Sequence, residues 1–209
     1  MKRAALLLGI VTLAGCMGPS AGVLYDPARD KPKDVPARRW RPSLAGVSDS
    51  WRVPSSGVWR YVVLHHSATE VGGAVRFDRE HRDRISKDGL GYHFVIGNGS
   101  DTGDGEVEVG CRWKTQMRGA HCGDPYYNAH GVGICLVGNF ESHPPSERQM
   151  EALETLVKYL QVSQSIPTSA ILLHRHIKNT LCPGRLFPYR TLLAKLDGVG
   201  SEPVAHLGK

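Results

Sequence analysis

Apolar residues follow two rhythms along this chain. The run Tyr61-Val62-Val63-Leu64 is short, rich in β-branched and aromatic side chains, and leads straight into His65 and His66. Such a run predicts a buried strand rather than a helix. Side chains of a strand alternate between its faces, so Val63 shares a face with His65, and Val62 and Leu64 share the other with His66. Two neighbouring histidines on a strand cannot easily grip one ion, and at most one of them is a ligand. The next segment places Phe77, His81 and Ile85 four residues apart among many charges. That spacing predicts one stripe of an amphipathic helix, stopped by Asp88-Gly89.

The stretch "GYHFVIGNG" predicts a strand running into a turn, and the Gly- and Asp-rich residues after it a hairpin back to "VEVG". Asp101 and Asp104 lack the spacing of a calcium loop and are read as turn formers. Residues 131–140, "GVGICLVGNF", are apolar and bounded by glycines, which predicts a central strand. The clearest helix covers "PPSERQMEALETLVKYLQVS": Ser146 with Gln149 three residues later is a capping-box pattern, and Met150, Leu153, Val157 and Leu160 recur at helical spacing. "AILLHRH" predicts another strand. "FPYRTLLAKL" predicts a closing helix with Leu192, Leu193 and Leu196 turned inward. Strands alternating with helices, plus one hairpin, give an α/β fold: a mixed central β-sheet flanked by α-helices.

The ends of the chain read differently. Lys2-Arg3, an apolar run from Ala4 to Leu13, and then Leu13-Ala14-Gly15-Cys16 have the order of a secretory signal ending in small residues and a cysteine. This order resembles the bacterial lipobox, which implies cleavage before Cys16 and lipid attachment to it. The apolar run is too short to span a bilayer, so the expected membrane contact is an acyl anchor. The net charge of +6 would drop by two with the loss of Lys2 and Arg3. This mild excess suits an anionic envelope surface, and the absence of a basic cluster interleaved with aromatics argues against nucleic acid. Residues from Met17 to Gly57 are rich in proline and charge and predict a tether, with Trp40 or Trp51 docking on the domain. The expected organisation is a leader over 1–15, lipidated cysteine and tether over 16–57, one domain over 58–198 and a frayed tail over 199–209. Met17, rather than an aspartate, follows Cys16, which leans toward the periplasmic side of the outer membrane where the cell has one.

Chemistry enters with "LLHRHIKNTLCPG", residues 172–184. His174 ends an apolar run as His65 does, and Cys182 follows in a loop. Two imidazoles and a thiolate, with a fourth position left to water, are the ligand set of an open catalytic zinc site; no further cysteine or histidine is spaced to close it. From spacing alone, a strand-end histidine held by hydrogen bonds and a small buried thiol remain the competing readings. Export permits disulfides, so a bridge between Cys111 and Cys122 stays open, whereas Cys135 in its apolar strand is expected to be buried and free.

In this order, "VVLHHSAT", "GLGYHFVIGNG", "RGAH", "YNAHGVGICLVGNF" and "HRHIKNTLCPG" closely resemble the type 2 N-acetylmuramoyl-L-alanine amidases, a superfamily that includes phage lysozyme-type amidases and peptidoglycan recognition proteins. The resemblance covers residues 60–196. It implies a single amidase-like domain that uses Zn2+ to cut the bond between N-acetylmuramic acid and L-alanine of peptidoglycan or its muropeptides. It places the metal ligands on His65, His174 and Cys182, a catalytic tyrosine on Tyr92, and a further active-site position on Thr180, whose hydroxyl is too poor a base to deprotonate water. The general base is left unassigned. His66 is then expected to point away from the metal and to pack or hydrogen-bond behind it. His93, His121 and Asn128 fall in blocks that line the family's substrate groove, where they either contact sugar and peptide or hold loops. His176 stands where many relatives carry an acidic or amide residue, so the partner that orients a ligand imidazole is expected to differ here. A noncatalytic peptidoglycan-binding module is the alternative, and the complete donor set argues against it. No histidine-glutamate helix motif or serine elbow supports an unrelated peptidase or esterase.

Overall fold

The computed structural model describes residues 47–53 and 58–197. The leader, Cys16, Trp40 and the other tether residues over 16–46 and 54–57, and the 199–209 tail lie outside them. Five strands form one mixed sheet: β1 (Tyr61–His66), β2 (Phe94–Ile96), β3 (Val107–Val109), β4 (Gly131–Leu136) and β5 (Ile171–Leu173). Their order is β3-β2-β4-β1-β5, so the glycine-bounded apolar run takes the centre as its composition predicts. β1 pairs in parallel with β4 and β5, and β2 in parallel with β4; the β2–β3 hairpin is antiparallel. The helices are α1 (Ala74–Arg84), α2 (Cys111–Lys114), α3 (Pro125–His130), α4 (Glu147–Gln164) and α5 (Tyr189–Asp197).

The alternation read from the sequence sorts the two faces of the sheet. Val62, Leu64, Ile134, Leu136 and Phe94 join Leu153, Leu156, Leu160 and Leu192 of α4 and α5 in the larger core. Val95 and Cys135 point the other way, toward Phe77 of α1 and Leu90. Completely burying each of these larger aliphatic or aromatic side chains contributes about 1.5–3 kcal/mol. Trp51 docks as expected: its ring is 5% exposed, and its carbonyl accepts from Trp113 Nε1 and the Tyr159 hydroxyl, both at 2.8 Å.

The α4 capping box forms. Ser146 Oγ accepts from Gln149 N–H at 3.0 Å, and Gln149 Oε1 accepts from Ser146 N–H at 3.1 Å. α1 starts at Gly73, which has no side chain to cap it, and Glu108 of β3 substitutes by accepting from Ala74 N–H at 2.8 Å. That helix ends earlier than the Asp88-Gly89 stop predicts. The N–H groups of Ile85 and Ser86 both close on the His81 carbonyl, the Arg82 side chain takes the Lys87 carbonyl at 2.9 Å, and Ile85, expected in the apolar stripe, is left 46% exposed. β5 is also shorter than predicted. The chain turns into a 3-10 turn over His174–His176 because Arg175 N–H leaves the ladder to pair with the Cys182 carbonyl at 3.0 Å.

Two short helices were not predicted. α3 has its signal in the sequence: Asp124 caps Tyr126 and Tyr127 N–H, and Pro125 occupies the first turn. α2 owes its place to tertiary contacts. Trp113 is wholly buried, and the buried Arg112 guanidinium donates to the carbonyls of Leu90 (2.7 Å) and Arg118 (2.6 Å). Among the described residues, no helix is long and apolar enough to cross a membrane.

Candidate metal centre

The parallel strands β1 and β5 are neighbours, and their carboxyl ends open at one edge of the sheet, a usual place for a site in α/β proteins. His65 leaves β1 on the α1 side and His174 follows the last residue of β5, which brings their rings to 4.5 Å between centroids. The loop after the 3-10 turn returns Cys182 against them, with Sγ 3.7 Å from His65 Nδ1. One donor atom from each of His65, His174 and Cys182 lies within 4.8 Å of the others. Two nitrogens and a sulfur this close fit a divalent ion of zinc's preference, needing only a small contraction to reach bond lengths of about 2.0–2.3 Å.

These donors sit on one wall of a cleft of about 430 Å³ that also touches Tyr92, Thr180 and Leu181. The Tyr92 ring lies 5.2 Å from that of His65. Thr180 Oγ1 accepts from Cys182 N–H at 3.2 Å, so it shapes the cysteine loop while facing the cleft. His66 lies on the opposite face of β1 from His65 and is bonded behind it as expected, yet it also lines part of the cleft, which the expectation that it points away did not include. Its Nδ1 accepts from Phe140 N–H at 3.1 Å and its ring packs on Phe140. Asn139 and Glu141, in the turn after β4, line the cleft too, as does Leu181 at 70% exposure. The sequence reading did not single these out; the only signal is that "GNFE" follows the central strand at the same edge of the sheet.

Burial sets the charge state. It drives His65 well below its ordinary value of 6.5, reinforced by His121, His174 and His66 nearby, and it lowers His174 against the opposing pull of the Cys122 carbonyl. Both rings are thus neutral and can offer a lone pair. Burial pushes the Cys182 thiol up to about 12, so a metal must displace its proton to bind it as thiolate. The Tyr92 hydroxyl is raised well above 10, by burial first and then by Cys135 and Cys182, and stays protonated.

The remaining expected residues lie deeper. His93 is completely buried, with Nδ1 accepting from Gly133 N–H at 2.9 Å and Nε2 donating to the Met117 carbonyl at 3.1 Å. Asn128 is buried and its Oδ1 accepts from His121 and Cys122 N–H. His121 reaches the cleft with only 9% of its surface and stands behind His65, its Nδ1 at 3.0 Å from His65 Nε2. For His93 and Asn128 these bonds hold loops. His176 accepts from Leu173 N–H at 3.3 Å and packs on Tyr189, away from either ligand ring. Cys111 and Cys122 are both free thiols, so the bridge left open by the sequence is not formed; Cys135 is buried and free as expected. A second hollow of about 350 Å³, beside α1, holds the Arg76–Asp101 ion pair and none of the metal donors.

Comparison with known proteins bears on this cleft. The model of the family described as N-acetylmuramoyl-L-alanine amidase matches residues 55–185. A peptidoglycan-recognition protein of Drosophila simulans is 32% identical over 163 residues, 72% of this chain and 81% of that protein. An N-acetylmuramoyl-L-alanine amidase of Sus scrofa is 35% identical over 108 residues, 51% of this chain and 17% of the other. Among solved structures, N-acetylmuramoyl-L-alanine amidase LysC from Clostridium intestinale superposes with a TM-score of 0.57 at 29% identity, covering 72% of this chain and 95% of that one.

Proposed function

Since this chain belongs to the N-acetylmuramoyl-L-alanine amidase family, we propose that it is a zinc-dependent enzyme that hydrolyses the amide between N-acetylmuramic acid and L-alanine in peptidoglycan or its muropeptides. The observation that carries the reading is the convergence of His65, His174 and Cys182 within 4.8 Å on the wall of an open cleft. Zinc held there supplies a Lewis acid at the scissile carbonyl and makes water nucleophilic near neutral pH.

The chain's own residues do the rest. His65 and His174 give neutral nitrogen donors, and Cys182 gives up its proton to become the third. Tyr92, kept protonated by burial, donates a hydrogen bond to the oxygen on which negative charge develops. Thr180 holds the cysteine loop and faces the substrate. The cleft opens to solvent beside the exposed Leu181, leaving room for a glycan strand or a stem peptide.

The test is to incubate the purified protein with muropeptides, with and without chelator, and to weigh the products. Free stem peptides that appear only with metal are the expected result. Retention of muropeptide without cleavage in the presence of zinc would replace the enzyme with a peptidoglycan-binding module, the role named in several of its recognition-protein relatives.

The same proposal takes residues 1–15 as a leader, Cys16 as the lipid-bearing N-terminus, 16–57 as lipidated cysteine and tether, 58–198 as the catalytic domain and 199–209 as a tail. It thereby puts the enzyme at the cell envelope. Its support is the order Leu13-Ala14-Gly15-Cys16 after a basic, apolar start. Labelled fatty acid should enter the wild-type protein, and Cys16→Ala should lose both the label and membrane attachment; an unlabelled wild type would remove the anchor from the proposal.

A further inference from the structure

Behind the cleft, one turn of chain reaches both histidines of the metal centre. Asn128 Oδ1 accepts from the backbone N–H of His121 at 2.9 Å and of Cys122 at 3.2 Å, which pins these adjacent residues together. His121 Nε2 is 3.2 Å from the Gly131 carbonyl. A carbonyl oxygen only accepts, so Nε2 carries the ring proton and His121 Nδ1 is a lone pair. His65 Nε2, 3.0 Å from that lone pair, must be the donor. A neutral imidazole has one N–H, so His65 Nδ1 is left open, and it is the atom that faces Cys182 Sγ. The same logic holds next door. His174 Nε2 donates to the Cys122 carbonyl at 3.3 Å, leaving its Nδ1 as the lone pair.

Two glycines leave room for the His121 ring. A Cβ on Gly119 would come within 2.3 Å of His121 Cδ2, and one on Gly133 within 2.5 Å. Neither glycine has a left-handed backbone, so a side chain there would conflict with the ring rather than with the main chain.

We propose that His121 and Asn128 are positioning residues of the metal centre rather than substrate contacts. The His121 ring fixes the tautomer and orientation of His65, and Asn128, by clamping residues 121 and 122, holds both that ring and the Cys122 carbonyl that orients His174. This rests on the zinc reading given above and deepens it. It also supplies the orienting partner that His176 does not provide.

The experiment compares wild type, His121→Leu, His121→Asn and Gly133→Ala for zinc affinity by competition with a chromogenic chelator, and for KM on a muropeptide at saturating zinc. Removing such an outer partner weakens metal binding by about 10- to 100-fold. His121→Leu and Gly133→Ala should both show that loss with KM unchanged. His121→Asn should recover most of it, because its amide oxygen takes the place of Nδ1 as acceptor. Circular dichroism of each metal-free variant checks the fold, and Gly133→Ala carries the comparison if His121→Leu does not fold. The inference is overturned if the leucine variant binds zinc like wild type while KM rises, which would make His121 a substrate contact. It is equally overturned if His121→Asn is as weak as His121→Leu, which would reduce the ring to packing. Both of those results leave the zinc reading standing; a wild type that takes up no zinc removes that reading and this inference with it.

Discussion

Tyr92 illustrates how a residue's chemistry here is decided by its surroundings. A free phenol near pH 10 would begin to ionise in alkaline solution, but burial beside Cys135 and Cys182 keeps this one protonated. In the reading proposed above, it would therefore serve as a donor and not as a base. Tyr92→Phe should reduce kcat by about 10²–10³-fold, the usual loss for one donor to a developing oxyanion, while zinc affinity stays at the wild-type value. A variant that loses zinc in proportion to activity would assign the hydroxyl to metal binding instead. The pair His65-His66 shows the complementary case. Strand alternation alone separates the two side chains, one toward Cys182 and the other toward Phe140. That much was legible from six residues of sequence.

Among the elements, α4 was the most readable and is the one through which the β-hairpin is anchored. Its apolar period and capping pair are local, and local geometry is what periodicity reports. Two of its contacts were not readable. The Ser146 hydroxyl donates to Asp104 Oδ1 at 2.6 Å, and Gln149 Nε2 donates to the Val137 carbonyl at 2.8 Å. One residue thus caps the helix and holds the turn of the β2–β3 hairpin, while the next cap partner ties the helix to the strand exit. Ser146→Ala should cost about 1 kcal/mol, which lowers the thermal midpoint by roughly 2–8 °C for a domain of this size range. An unchanged midpoint would show that the cap contributes nothing net. α1 and β5 fell short of their predicted ends. For β5 the distant Cys182 carbonyl took the Arg175 N–H that a longer strand would have used, whereas in α1 the nearby His81 and Lys87 carbonyls drew in Ile85, Ser86 and the Arg82 side chain and closed the helix early.

At the scale of the whole molecule, His65, His66, His81, His93 and His121 are all buried among the described residues, and this couples folding to pH. His93 is lowered by burial from 6.5 to about 4, and His65, His121 and His174 are lowered by the same cause. Below pH 6.5 the unfolded chain takes up protons that the folded one refuses, so stability is complete above that value and falls as the pH drops toward 4. Each such proton contributes a slope of about 1.4 kcal/mol per pH unit. Urea midpoints of the metal-free protein should decline steadily from pH 7 to pH 4.5, and His93→Gln should flatten part of that decline; a constant midpoint across the range would show that these rings are protonated in the folded state. The sequence by itself determined the main strands and the long helix α4, the two faces of β1, the alternating α/β layout and, through ordered motifs, which histidines and which cysteine come together, because these depend on neighbours within a few residues or on the order of recognisable blocks. Only the tertiary structure decided that His121 meets His65 and that Asn128 pins His121 and Cys122, that Glu108 caps α1, and that Cys111 and Cys122 remain apart as thiols. Those facts depend on which groups meet across tens of residues of chain, where a hydrogen bond is won by whichever partner the packed sheet delivers to it.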